Sequence, residues 1–61
     1  MFTCQLIDYY DVYSTVVVLK HRPMVKEGIQ LDSETLLKIK RVIHPIPESD
    51  VDFILEIEDI S

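Results

Sequence analysis

His44 stands beside two prolines in the stretch KIKRVIHPIPESDVDFILEIED, with basic residues before it and an acidic alternating run after it. An imidazole so placed can act as a general base or as a metal ligand. Structural zinc, however, takes four nitrogen or sulfur ligands, commonly in closely spaced pairs. The only other histidine, His21, is not at ligand spacing, and the single cysteine, Cys4, is remote in sequence. His44 is therefore expected to end a strand, with Pro45 and Pro47 stiffening the turn after it. No metal and no cofactor are expected.

The other reactive side chains give no stronger signal. Ser14, Ser33, Ser49 and Ser61 lie in no Gly-x-Ser-x-Gly elbow, and a chain with one glycine has no loop to cradle phosphate. Asp50, Asp52, Glu56 and Glu58 follow the period of a solvated strand face rather than that of an acid–base pair. No catalytic residue is expected. Tyr9, Tyr10 and Tyr13 carry more information, because an apolar ring with a polar tip suits a half-wet interface. Stacking on bases is opposed by Asp8 and Asp11, which would repel phosphate. Ile46, held between two prolines, is a second exposed apolar point. Tyr9, Tyr10, Tyr13, His44, Ile46 and Pro47 thus form the candidate partner-binding surface.

The elements that must position these residues follow from alternation. Phe2 to Asp8 suits a first strand, and Val12 to Lys20, rich in Val, Thr and Tyr, a long second one. Arg22-Pro23 breaks that strand, since proline supplies no N–H to a ladder. Lys26-Glu27-Gly28 reads as a turn in which the only glycine takes positive φ. Ile29 to Leu31 is a short third strand, and Asp32-Ser33-Glu34 a tight polar turn.

Residues 36 to 44 admit two readings. Leu36, Ile39, Lys40 and Ile43 fall at helical spacing, with Asp32 or Ser33 able to cap. Against this, Ile39, Val42 and Ile43 are β-branched, and the next segment supplies a partner strand with Val51, Phe53, Leu55 and Ile57 on one face. A hairpin with Val42 opposite Phe53 keeps apolar residues on one side only if the first strand carries an extra residue. A β-bulge at Lys40-Arg41, opposite Ile54, supplies it. Ile39 then meets Leu55, Leu37 meets Ile57, Lys38 meets Glu56, and the Lys40 and Arg41 stems cover Ile54. The strand reading accounts for more residues. The fold expected is all-β: a small five-stranded antiparallel sheet or partly open barrel of SH3-like type, one domain over residues 1–61.

Length and charge bound the rest. The chain of 61 residues opens on Met1 and reads as a complete small protein. A domain of about 60 residues buries only roughly 60% of the surface its unfolded chain exposes, so self-association is expected to support it. One cysteine excludes an internal disulfide and fits a reducing, cytoplasmic setting. The N-terminus has no basic n-region, and the longest apolar run is too short to span a membrane. The net charge of −5 is segregated: all six Lys and Arg lie between Lys20 and Arg41, while residues 48 to 61 carry only acids. A sheet can neutralise this by setting the basic middle beside the acidic end. Overall acidity makes nucleic-acid binding an unfavoured expectation, including a basic face of Lys38, Lys40 and Arg41.

The run from Pro23 to Leu31 (PMVKEGIQL), followed by Leu37 to His44 (LKIKRVIH), resembles a pattern in short bacterial and phage small β-barrel proteins of unsettled function. That pattern is P-x-V-G-D-x-I-x-L, a tight turn, and then Y-x-V-x-x-V-x-H. Here Lys26-Glu27-Gly28 replaces the Val-Gly-Asp order, and Leu37 stands where Tyr is common. The resemblance implies a β fold and a phage or mobile-element origin, and it brings no catalytic residue. Two function classes remain open. One is a non-enzymatic barrel working by protein–protein contact, as a homodimer or with another protein, through the tyrosines and the His44-to-Pro47 turn. The other is an acidic nucleic-acid mimic displaying Asp50, Asp52, Glu56, Glu58 and Asp59.

Overall fold

Runs of alternating β-branched and apolar residues form five strands: β1 (Phe2–Ile7), β2 (Val16–Leu19), β3 (Gly28–Gln30), β4 (Leu36–Ile43) and β5 (Phe53–Asp59). They are seen in a computed structural model that describes residues 1–8 and 15–60. Among the described residues there is no helix, so the segment with two readings is a strand. The strands join one sheet in the order β2-β1-β5-β4-β3, curled into a half-barrel like a small open barrel. Three pairings are antiparallel, but β1 and β5 run parallel. The sheet is therefore mixed, not wholly antiparallel. Hairpins can be read from local turns, whereas this contact joins the two ends of the chain.

Side chains from four of these strands fill the concave side. Cys4, Leu6, Ile29, Leu37, Ile39, Phe53, Leu55 and Ile57 are buried, and Phe2, Val17, Leu19, Leu31 and Val42 pack against them. Leu55 lies between Leu6 on β1 and Val42 on β4, so truncating it to Ala costs about 2–5 kcal/mol. That is a large part of the stability open to so small a domain. Burial pushes the Cys4 thiol pKa up, and the nearby Asp52 carboxylate adds to the effect. Cys4 is thus a core side chain.

The bulge in β4 is where the sequence places it, because the register shifts between Ile39 and Arg41. The pairing itself differs by two residues from the expected one. Val42 faces Leu55 rather than Phe53, Ile39 faces Ile57, Leu37 faces Asp59 and Lys38 faces Glu58. A slip of two keeps every side chain on its own face, so hydrophobic alternation cannot detect it. Phe53 is instead engaged with Cys4 of β1 across the parallel pairing and with the rings of Phe2 and His44.

The turn before β3 also departs from expectation. Gly28 is the first strand residue and takes no positive φ, whereas Lys26 has φ 75°. Glu27 N–H donates to the Met24 carbonyl (3.1 Å), closing a turn whose third residue is Lys26. Positive φ at that position is the type II geometry, normally given to Gly or Asn. The strain is held by β4: Lys26 N–H donates to the Ile39 carbonyl (2.8 Å), and Ile39 N–H donates to the Glu27 carbonyl (2.9 Å). The next hairpin closes more simply. Asp32 accepts from the N–H groups of Glu34 and Thr35, both at 2.8 Å, in the polar turn the sequence announces.

Candidate functional site

Each residue that faces away from the core stands in a cross-strand row fixed by the register. Val16 of β2 pairs with Gln5 of β1, Gln5 with Ile54 of β5, and Ile54 with Ile43 of β4. All four lie at outward parity, because their strand neighbours Cys4, Leu6, Phe53, Leu55 and Val42 face the core. Val18 and Ile7 flank the row and are exposed, as is Val16. The outer face thus carries an apolar band of Val16, Val18, Ile7, Ile54 and Ile43. It starts at the sheet edge and runs across to β4.

The band is bounded by paired charges. Glu56 stands beside Ile7 on β1 and opposite Arg41 on β4, with Arg41 Nε 3.3 Å from its carboxylate. Lys38 pairs with Glu58 one step further on. These contacts join the basic middle of the chain to its acidic end. On the other side, Asp52 accepts from Thr3 N–H at 2.9 Å and donates its own N–H to the Thr3 carbonyl at 2.7 Å. The carboxylates of Asp52 and Glu56 are therefore occupied within the sheet. Arg41 stands opposite Glu56 rather than in its expected place opposite Ile54. Ile43 takes that place and makes the band apolar.

His44 follows β4 and is exposed, with its ring in an edge-to-face contact with that of Phe53 at 5.4 Å between centroids and 65° between planes. Phe53 in turn meets Phe2 at 5.6 Å. The imidazole is thus one end of an aromatic row at the mouth of the half-barrel. Ile46 and Pro47 project beyond it, Ile46 being 70% exposed. Ser49 N–H closes this turn on the Ile46 carbonyl at 3.0 Å. Tyr9, Tyr10 and Tyr13 lie outside the described residues. Among the described residues, no group of three or more His, Cys, Asp and Glu side chains is arranged to hold a metal ion. No helix among them is long and apolar enough to cross a membrane.

Comparison of the chain with protein-family models, with curated proteins and with solved structures finds no match to any of them.

The candidate surface read from the sequence therefore reduces, among described residues, to His44, Ile46 and Pro47, and the outer apolar band was missed. Its signals are present in the chain. Val16 to Leu19 is apolar at both parities, and Ile54 interrupts an otherwise acidic face. Only the register shows that they are neighbours.

Proposed function

We propose that the chain is a non-enzymatic contact module that binds another protein through the outer face of its sheet. The observation that carries this reading is the set of outward apolar residues Val16, Val18, Ile7, Ile54 and Ile43, which is spread over four strands around Gln5 and partly open to solvent. Contiguous exposed apolar surface on so small a domain marks a place of association. His44, Ile46 and Pro47 add a rigid apolar projection at one end of the sheet. The absence of a catalytic constellation among the sequence motifs fits the same reading.

The alternative, an acidic nucleic-acid mimic, requires carboxylates presented freely in a ladder. Asp52, Glu56 and Glu58 face Thr3, Arg41 and Lys38 within the sheet, which favours the contact module. Affinity capture from a host lysate at low and raised salt, with the parent chain and Ile54→Lys side by side, tests the two. A contact module keeps its bound proteins at raised salt and loses them in Ile54→Lys. A mimic loses them as salt screens its charges and is indifferent to Ile54.

A further inference from the structure

We propose that β2 is the interface for a second copy of the chain, two β2 strands pairing antiparallel about a two-fold axis at Val17. This goes beyond the contact-module reading, because it uses the edge of the sheet rather than its outer face. Two half-barrels then share one continuous sheet.

The main-chain groups define the geometry. Leu6 N–H donates to the Thr15 carbonyl at 2.9 Å, which makes Leu6 and Thr15 a hydrogen-bonded pair of the antiparallel ladder. Stepping by two along the register gives Cys4–Val17 and Phe2–Leu19 as the next such pairs. Thr15, Val17 and Leu19 therefore spend their N–H and C=O groups on β1, while those of Val16 and Val18 point out of the sheet. Among the described residues no strand takes up that side, since β2 is an end of the strand order.

Among the described residues nothing covers this edge. Natural edge strands are blunted by charge, proline or a bulge, and Val16–Leu19 has none of these. The opposite edge, β3, is three residues long and begins with Gly28. The β2 edge is also self-complementary. With Val17 on the axis, Val16 of one copy falls opposite Val18 of the other, and both are residues whose outward groups meet no strand among the described residues. Each of the two Val16–Val18 pairs then exchanges N–H···O bonds in both directions. Their side chains, 49% and 58% exposed in the single chain, meet on the outer face as β-branched cross-strand pairs.

Charge selects the direction and symmetry selects the partner. In sequence, Asp8 precedes the strand, and Lys20 and Arg22 follow it. An antiparallel pair sets the acidic end of one copy at the basic end of the other, whereas a parallel pair sets like charges together. An isologous β2–β2 contact also closes as a dimer, while β2 on β3 is head-to-tail and continues into a polymer.

The test combines sedimentation equilibrium of the full chain over a wide concentration series with site-resolved amide hydrogen exchange. The dimer predicts a concentration-dependent doubling of mass. Protection of the Val16 and Val18 amides is lost on dilution, while Val17 and Leu19 stay protected at every concentration. Val18→Pro removes an N–H that pairs with no strand among the described residues, so the fold persists and association weakens about thirtyfold, the equivalent of two hydrogen bonds. If Val18→Pro disturbs the fold, the exchange pattern of the parent chain decides by itself. A parent chain that stays monomeric throughout, or a dimer whose Val16 and Val18 amides exchange freely, overturns the proposal. Either result leaves the contact-module reading standing, because that reading is tested separately at Ile54.

Discussion

Arg41 Nε lies 3.3 Å from the Glu56 carboxylate, and the two residues face one another because Lys40 is the extra residue between paired Ile39 and Arg41. Removing Lys40 would erase the bulge and turn one half of β4 over relative to the other. Leu37 and Ile39, both fully buried, would then face solvent if Val42 stayed in place. Deletion of Lys40 is expected to abolish the cooperative unfolding transition, because a one-residue slip reverses every side chain. Circular dichroism melting checks this, and an unchanged transition would contradict the register.

The strain at Lys26 predicts an unusual stabilising change. A non-glycine residue at positive φ costs on the order of 1 kcal/mol, and Gly relieves it at some cost in chain entropy. Lys26→Gly is expected to hold stability or raise it by up to about 1 kcal/mol. Gly28→Ala should be tolerated, since an added Cβ would meet its neighbours only at 3.7 and 3.8 Å. Urea titration of both variants reads the difference. A marked loss in Lys26→Gly would mean that the turn is not of this type.

His44 packs its ring against Phe53. Its edge-to-face contact with Phe53 is worth about 0.5–1.5 kcal/mol at most, and the ring is exposed. His44→Ala should lower stability by no more than that, and His44→Phe should restore it. Denaturant titration of the pair checks the point. Recovery by Phe separates ring packing from any requirement for the imidazole nitrogens.

Asp32 predicts a pH effect of definite sign. The Glu34 backbone N–H, followed by the hydrogen bond from the Thr35 side chain, holds its carboxyl pKa below the usual range. The folded value being lower, this contribution is present above the ordinary carboxylate range and is lost as pH falls through the lowered value. Asp32→Asn keeps an oxygen acceptor for the turn but cannot titrate. Melting temperatures of parent and variant, measured from neutral to acid pH, should therefore converge or cross as pH falls. A constant difference at every pH would show that the turn draws nothing from the charge.

The elements were largely legible in the chain because their causes are local. Alternation at period two marked β1 and β5, the β-branched residues and the partner strand decided β4, and Asp32 announced its turn by its own side chain. Parity also required the bulge at Lys40-Arg41, since no other device puts Val42 and Ile39 on one face. The turn at Lys26 was misread for a physical reason. Glycine is the residue that tolerates positive φ most easily, yet here the bonds from Ile39 hold a lysine there.

The chain by itself therefore determined an all-β sheet, its inward residues, its charge segregation and the need for one extra residue in β4. Three things were decided only by the tertiary structure: the parallel meeting of β1 and β5, the two-residue offset of the last hairpin, and the apolar band from Val16 to Ile43. Each depends on which strand lies beside which, and a period of two is blind both to the neighbour and to a slip of two. Gln5 illustrates the point. Nothing near it in sequence shows that Val16 lies on one side and Ile54 on the other, since long-range pairing is set by the closure of the whole sheet.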